Sequence, residues 1–249
     1  MAFDLSSLTS GPVNKPPRLI IYGDGGIGKT TFAAGAPKPI FLQTEDGSDE
    51  LNVDRTDVAQ RWTDVTGFIS VLQNEDHDFQ TLVLDSLDWA ESLCAQHISE
   101  TFDKSDLGYG KDAIILGEYM RDMLRSLTTL RDQRNMAVIC TAHAHVKTFH
   151  DPAGESYDRF EMKLSKKVNP IAKEWADYIG FAAHDVYVAK KDTGFNKKRG
   201  VGVSQGRVLH LEGTPAFDAK KRGVGMPSQI QLSWPAFFEA LRGGREAAA

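Results

Sequence analysis

RLIIYGDGGIGKTTFAAGAP, residues 18–37, is the stretch that decides the fold of this chain. Its first part, Leu19–Tyr22, is apolar and unalternating, which predicts a strand buried on both faces of a parallel sheet. A glycine-rich turn follows at once, and then come Lys29, Thr30 and Thr31. A glycine-rich backbone followed by a cation and two hydroxyls is suited to binding a polyphosphate, because the backbone amides can surround the anion without steric hindrance.

The turn and the residues after it fit the pattern G-x-x-x-x-G-K-[ST] of a nucleotide-binding loop, the P-loop. We expect Lys29 to reach the β- and γ-phosphates and the Thr30 hydroxyl to bind Mg²⁺, so ATP and Mg²⁺ are the expected cofactors. A chance match is the alternative, but the preceding strand and the following helix supply the context that the motif requires. The predicted nucleotide-binding residues are Gly23, Asp24, Gly25, Gly26, Ile27, Gly28, Lys29, Thr30 and Thr31.

A second acid is needed at the end of a neighbouring strand to hold the magnesium shell. TLVLDSLDW, residues 81–89, supplies Asp85 directly after four residues that are typical of a strand. We therefore predict that Asp85 is a metal-site residue together with Thr30, and Asp88 is the lesser candidate. The alternative is that Asp85 caps the helix that follows, a role that Ser86 could also fill.

The composition is that of a globular protein with one large α/β domain. The chain has 249 residues, of which 41% are hydrophobic and 25% charged, and its formal net charge is −5. This balance excludes a uniformly basic surface but not a local basic groove for nucleic acid. Cys94 and Cys140 lie among apolar residues and indicate buried thiols in a reducing compartment. We expect a cytoplasmic protein with no signal peptide, no membrane span and no membrane partner.

Short apolar runs at 19–22, 40–43, 81–85 and 137–141 predict buried parallel strands, separated by helical patterns at 86–102 and 119–131. Stretches 177–191 and 206–214 predict later strands, and 233–242 predicts a closing helix. We expect a mostly parallel α/β sheet flanked by helices, with antiparallel strands toward the C-terminus. The predicted organisation is a flexible arm at 1–17, an ATPase domain at 18–243 and a disordered tail at 244–249.

Two segments resemble RecA-type ATPases. LVLDS, residues 82–86, is similar to their Walker B strand, and IFLQTEDG, residues 40–47, is similar to the strand that ends in their catalytic glutamate. The resemblance puts Glu45 at the glutamate position, where a carboxylate acts as general base on the attacking water. A solvated loop acid is the alternative reading of Glu45. Asp49 falls near the position of an acid that faces the adenine amino group in RecA.

Two more positions are assigned by the same resemblance. In MAVICTAHAHVK, residues 136–147, His143 stands where RecA proteins have a glutamine that senses the γ-phosphate, and His145 follows two residues later. FDAKKRGVGMP, residues 217–227, is similar to the Lys-x-Arg-x-Gly segment of RecA-fold hexameric helicases, whose cations reach a neighbouring subunit's ATP site. The resemblance therefore implies catalytic roles for Lys29, Glu45, His143, Lys220 and Arg222. Surface histidines and a basic turn are the alternatives.

From residue 19 to residue 241 the chain resembles the small phage RecA-like ATPases, also called phage nucleotide-binding proteins, which include the Sak-four single-strand annealing proteins. The resemblance implies a RecA-like P-loop core that binds and hydrolyses ATP on single-stranded DNA in phage-type recombination. It further implies self-association as a filament or ring, a single-strand-binding protein as an additional partner, and the cytoplasm of a bacterial host. The chain lacks the extra DNA-binding domains of full-length RecA-type proteins, which favours annealing over duplex pairing.

By the same resemblance, two loops would line the DNA channel, at Thr101–Gly117 and Val146–Lys173. Both combine cations with aromatic residues, a composition suited to phosphates and stacked bases. The candidates in them are Tyr109, Lys111, Lys147, Phe149, Tyr157, Arg159, Phe160, Lys163, Lys166 and Lys167, and a third basic strip covers residues 189–200. Residues 146–200 carry a net charge of +3, against −8 for the rest, which favours a basic DNA-facing side. Core aromatics and a solvated hairpin are the alternative.

Two other functions share the P-loop. One is a ring-forming DNA helicase or a helicase-loading ATPase, and the other is a P-loop small-molecule kinase. Such kinases usually carry an arginine-rich lid, and the segment at 147–163 is a poor candidate for one. Stimulation by single-stranded DNA would distinguish the annealing protein from the kinase.

Overall fold

The computed structural model describes residues 11, 13–152, 154–192, 198–223 and 225–246, and the side chains of these residues apart from 187–205 and 246. The strands are β1 (Arg18–Gly23), β2 (Pro39–Gln43), β3 (Asp54–Arg55), β4 (Thr81–Asp85), β5 (Ala137–Phe149), β6 (Tyr157–Met162), β7 (Tyr178–Asp192), β8 (Lys198–His210) and β9 (Gln229–Gln231). The helices are α1 (Lys29–Ala34), α2 (Trp62–Asn74), α3 (Leu87–Thr101), α4 (Lys111–Arg134), α5 (Val168–Trp175) and α6 (Trp234–Glu246).

The strands form one mixed sheet in the order β3-β2-β4-β5-β1-β7-β8-β9, and β6 pairs with β5. The strands from β3 to β7 in this order are parallel, whereas β8 and β9 are antiparallel additions. This confirms the predicted fold class, an α/β P-loop core with antiparallel strands toward the C-terminus. Because β5 lies between β1 and β4, the end of β5 is placed between the P-loop and Asp85.

Two apolar cores cover the two faces of the sheet, because successive side chains of a strand point to opposite sides. Ile20 and Tyr22 of β1 face the larger core, which packs against α2, α3, α4 and α5. Leu19 and Ile21 face the smaller core, which packs against α1 and α6. Burial on both faces explains why the parallel strands read as unbroken apolar runs in the sequence.

Several elements are longer than their local patterns predicted. Strand β5 runs eight residues past Thr141, as far as Phe149, and pairs with β6 as an antiparallel hairpin. Helix α4 spans Lys111–Arg134, so it covers part of the first predicted DNA loop. Helix α5 begins inside the second predicted loop and ends two residues beyond it. The segment 146–173 is therefore a hairpin followed by a helix, and not a loop.

The predicted arm and tail meet each other on the body of the domain. Arg245 of α6 hydrogen-bonds Asn14 and donates to the Lys15 carbonyl over 2.6 Å. Lys15 forms an ion pair with Asp132 over 2.9 Å. Residues 244–246 of the predicted tail are helical, so the domain extends beyond residue 243. Residues 1–10, 12 and 247–249 lie outside the described residues.

Both cysteines are buried free thiols, as the sequence predicts, and burial raises the pKa of each to about 12. Across the part of the chain that the structure describes, no helix combines the length and the apolar character needed to cross a membrane.

Candidate functional site

The predicted nucleotide site forms a cleft of about 510 Å³ at the carboxyl edge of the sheet. The ends of β1, β2, β4 and β5 meet there, since parallel strands finish at the same edge. The lining brings together the P-loop, Glu45, Asp85 and His143, which are far apart in sequence. The cleft is also lined by Gly25, Gly26, Gly28, Thr30, Thr31, Asp46, Gly47, Asp49, Glu50, Leu51 and Arg207.

The P-loop depends on glycine at particular positions. Gly26 and Gly28 have φ angles of 74° and 108°, values that side chains with a Cβ rarely adopt. A Cβ on Gly23 would lie 2.4 Å from the Ala182 carbonyl oxygen, so this glycine lets β1 approach β7 closely. Ile27 points into the smaller core and anchors the loop from below. The loop is thus shaped by the sheet beneath it.

Lys29 is buried, and its ammonium group donates to the carbonyl oxygens of Gly23 and Asp24, each over 3.0 Å. Burial lowers the pKa of Lys29, and the nearby carboxylates of Asp85 and Glu45 oppose that shift. The amine is therefore held at the base of the loop by two neutral acceptors. An anion with more negative charge than a carbonyl can replace either of them.

Thr30 and Asp85 are in contact, as a shared metal site requires. The Thr30 hydroxyl donates to one Asp85 oxygen over 2.9 Å, and the buried Thr141 hydroxyl donates to the other. The described residues contain no group of three or more His, Cys, Asp or Glu side chains arranged for a metal. Mg²⁺ fits this donor set, because it keeps several waters and binds one or two protein oxygens together with substrate phosphates.

Glu45 is positioned by the residue before it. The Thr44 hydroxyl donates to the Ser86 carbonyl and accepts from the Ser86 amide, each over 2.7 Å, while the Thr44 amide bonds to the Asp85 carbonyl. These bonds join the ends of β2 and β4 and direct Glu45 into the cleft. Partial burial raises the pKa of Glu45, an effect that the proximity of the Ser86 hydroxyl and of His143 only partly offsets. A raised pKa suits a general base that works near neutral pH.

His143 lies between two carboxylates. Its Nδ1 is 2.9 Å from an Asp88 oxygen, and its backbone amide donates to the other Asp88 oxygen over 3.1 Å. Because an ionised carboxylate only accepts hydrogen bonds, the proton is on Nδ1, and Nε2 faces Glu45 Oε2 at 3.8 Å. His145, whose role the sequence could not separate from that of His143, is not among the residues that line the cleft.

Asp88, the lesser candidate for the metal site, contacts His143. It sits on the first turn of α3 and fixes the ring orientation of His143. One turn further along α3, both carboxylate oxygens of the buried Glu91 accept from the Ser165 amide, at 3.2 and 3.1 Å. Helix α3 therefore contacts His143 of the cleft through Asp88. Through Glu91 it contacts the segment after β6.

The geometry agrees with a comparison across protein families. Residues 15–223 match the family described as an AAA domain. The chain belongs to the AAA-domain family. Among curated proteins, none matches it at a significant level. The membership identifies the cleft as the nucleotide-binding site of an ATPase-type P-loop protein.

In this AAA-domain protein, Lys220 and Arg222 lie at the other edge of the sheet from the P-loop. Lys220 donates to the carbonyls of Lys173 and Ala176 over 2.8 and 2.6 Å, so its amine caps the end of α5 in its own chain. Arg222 pairs with Asp177 over 3.2 Å and remains 57% exposed. Within this chain Lys220 makes a structural contact and Arg222 is exposed, and the intersubunit role of the two cations stays a prediction.

Several predicted DNA-contacting residues of the AAA-domain protein are engaged internally. Phe160 is half-buried and stacks on Phe181, with ring centroids 5.1 Å apart, so it packs against the larger core. Arg159 hydrogen-bonds Asp218 and lies over the Phe149 ring at 5.3 Å. These contacts favour the alternative for Phe160, a residue packed against the core, and its contact with DNA stays a prediction.

Among the remaining candidates, Phe149 and Tyr157 are half-buried and pack on each other, with ring centroids 5.3 Å apart, whereas the others are exposed. Tyr109 is fully exposed at the start of α4, with a positive φ of 57°. Lys111, Lys163, Lys166 and Lys167 are also exposed, whereas Lys147 pairs with Glu161 over 3.1 Å. The third basic strip lies outside the described side chains. The structure thus keeps an aromatic and four cations free for a ligand near α4 and α5.

The sequence analysis did not predict Arg207 as a residue of the site. It is on β8, far along the chain from the P-loop, yet it lines the cleft directly above Gly28. No local motif marks it, because its position depends on the antiparallel pairing of β8 with β7.

Proposed function

We propose that this AAA-domain protein hydrolyses ATP on single-stranded DNA and promotes strand annealing in phage-type recombination, as an oligomer. The observation that carries the proposal is the contact of His143 with Asp88 at the point where β5 leaves the nucleotide cleft. From there, one continuous strand extends into the β5–β6 hairpin, and α3 reaches the segment after β6.

The hydrolytic part of the proposal rests on the side chains in the cleft. Lys29 and the loop amides hold the phosphates, and the Thr30 hydroxyl and Asp85 hold Mg²⁺, which offsets phosphate charge when bound. Glu45 faces the same space with a raised pKa and accepts a proton from water. His143 Nε2 lies next to Glu45, where the terminal phosphate would end, and it would donate to a phosphate oxygen when both ring nitrogens carry a proton.

The proposal also couples the nucleotide cleft to the DNA-binding segments, and this coupling rests on two connections from the cleft. His143 is on β5, which pairs with β6 as far as Phe149 and Tyr157. Asp88 and Glu91 are three residues apart on α3 and therefore share one face of the helix. A shift of His143 on loss of the terminal phosphate would move Asp88, and through α3 the Ser165 segment that Glu91 holds.

Single-stranded DNA is favoured as the ligand by charge and ring exposure. Lys163, Lys166 and Lys167 follow β6, and Tyr109 and Lys111 stand at the start of α4. The two groups are adjacent, because the stem of Lys167 lies over Gly117 of α4. Cations that track phosphates beside an exposed ring are typical of sequence-tolerant binding to single strands.

The oligomeric part rests on Arg222. Strand β1 separates it from the P-loop of its own chain by about 16 Å, so its guanidinium cannot reach its own nucleotide. An exposed arginine at this edge is suited to a neighbouring subunit's ATP site, where it would offset charge on the transferred phosphoryl group.

The proposal is tested by steady-state ATP turnover with and without an oligothymidylate, at two salt concentrations. We expect stimulation by the single strand that weakens as salt rises, because bound cations release counterions from DNA. The same assay with duplex DNA serves as the control and should stimulate less. Turnover unaffected by any single strand at low salt would contradict the proposal.

The same experiment separates the alternatives. A small-molecule kinase would consume ATP only with its acceptor present and would ignore DNA. A helicase-loading ATPase would bind nucleotide with little turnover. A ring-forming helicase remains compatible with the position of Arg222, and strand displacement on a forked duplex distinguishes it from an annealing protein.

A further inference from the structure

The phosphate side of the cleft holds a second cation that belongs to the same chain. We propose that Arg207 binds the phosphate chain of the nucleotide from above the P-loop, in cis, as the partner of Lys29. This inference rests on the proposed nucleotide-binding function and adds a binding residue to it.

The first support is the distance to the loop. A Cβ built on Gly28 would lie 2.9 Å from Arg207 Nη1, so the guanidinium occupies the space directly over this glycine. Gly28 thus lacks a side chain for two reasons, its φ of 108° and the guanidinium above it. A phosphate held by the amides around Lys29 lies within hydrogen-bonding reach of such a group.

The second support is the charge around the cleft. Its lining carries five acids, Glu45, Asp46, Asp49, Glu50 and Asp85, whereas Lys29 and Arg207 are the two lysines or arginines that line it among the described residues. A triphosphate placed in so acidic a cleft requires cations close to its oxygens. Lys29 is buried at the base of the loop, so Arg207 is the cation on its open side.

The third support is that, among the residues whose side chains the structure describes, Arg207 forms no ion pair with an acid. Its backbone is fixed, because its carbonyl accepts from the Leu232 amide over 3.0 Å. The register of β7 and β8 shifts between Asp185 and Val186, next to Arg207, and such irregularities redirect a side chain. The strand therefore presents a free guanidinium to the cleft.

The test is the affinity of the full chain for a fluorescent ATP analogue, measured at low protein concentration so that few neighbours contribute. We expect Arg207→Ala to weaken binding about 10- to 100-fold, the range for loss of a charge-assisted hydrogen bond to phosphate. Arg207→Lys should recover part of the affinity. Arg125→Ala is the matched control, because Arg125 is an exposed arginine paired with Asp122 on α4.

Lys29→Ala distinguishes failure of the Arg207 role from failure of the nucleotide site itself. If Lys29→Ala loses binding while Arg207→Ala retains the wild-type affinity, the inference is wrong and the nucleotide site stands. If both variants bind as the wild type does, the proposed function fails as well. An equal loss in Arg125→Ala would attribute the effect to net charge and would also overturn the inference. Circular dichroism confirms that each variant is folded.

Discussion

Replacing Arg222 by alanine is expected to lower ATP turnover by about 10³-fold or more at saturating protein, without weakening nucleotide binding. The magnitude is that of a trans-acting arginine in phosphoryl transfer. Binding is unaffected because Arg222 lies at the edge of the sheet opposite its own P-loop, where it pairs with Asp177. The measurement is steady-state turnover as a function of protein concentration, beside the equilibrium affinity for an ATP analogue.

A mixing experiment decides whether Arg222 acts on a neighbour. The Lys29→Ala subunit cannot hold nucleotide but keeps Arg222, so it should restore turnover when added to Arg222→Ala. Arg61→Ala is the matched control, since Arg61 is an exposed arginine at the start of α2 that pairs with Asp64. Wild-type turnover in Arg222→Ala, or no recovery on mixing, would remove the intersubunit role.

Glu45→Gln is expected to reduce turnover by about 10²- to 10⁴-fold, the usual contribution of a general base, while nucleotide binding is retained. The amide has nearly the same shape, so the loop held by Thr44 and Ser86 stays intact. Glu50→Gln is the matched control, because Glu50 is an exposed glutamate lining the same cleft. A full rate in Glu45→Gln would mean that another group activates the water.

The pH dependence of turnover follows from the pKa of Glu45. Burial raises this pKa, so the carboxylate takes up a proton at a higher pH than an ordinary glutamate does. A general base works only when deprotonated, so the wild-type rate should fall as pH decreases through the raised pKa. The residual rate of Glu45→Gln should lack this acid limb. An acid limb of the same midpoint in the variant would assign it to another residue.

The part of the site built from local sequence was predictable. The P-loop needs only a strand, glycines and a lysine in succession, and the spacing of Gly23, Gly28 and Lys29 is visible without any tertiary contact. The contact of Thr30 with Asp85 was expected for the same reason, since each follows a buried strand of a parallel sheet.

The parts that depend on distant pairing could not be predicted. Arg207 reaches the cleft only because β8 turns back along β7. The sequence offered Asp88 only as the lesser metal-site candidate, because its contact with His143 depends on where β5 ends. Phe160 has the alternation of an exposed strand residue but packs against Phe181 across the sheet. Helix α2 was not predicted, although the sequence contains a pattern for it, the helical spacing of Trp62, Val65, Ile69 and Leu72 on its buried face.

The central claim is that the nucleotide in the cleft controls the affinity for single-stranded DNA through His143. It is tested most directly by the affinity for a labelled oligothymidylate, measured by fluorescence anisotropy with a non-hydrolysable ATP analogue and then with ADP. We predict binding about 5- to 150-fold tighter with the analogue, the usual range of coupling between two sites, and a ratio close to one in His143→Ala. Equal affinity in both nucleotide states of the wild type would contradict the account.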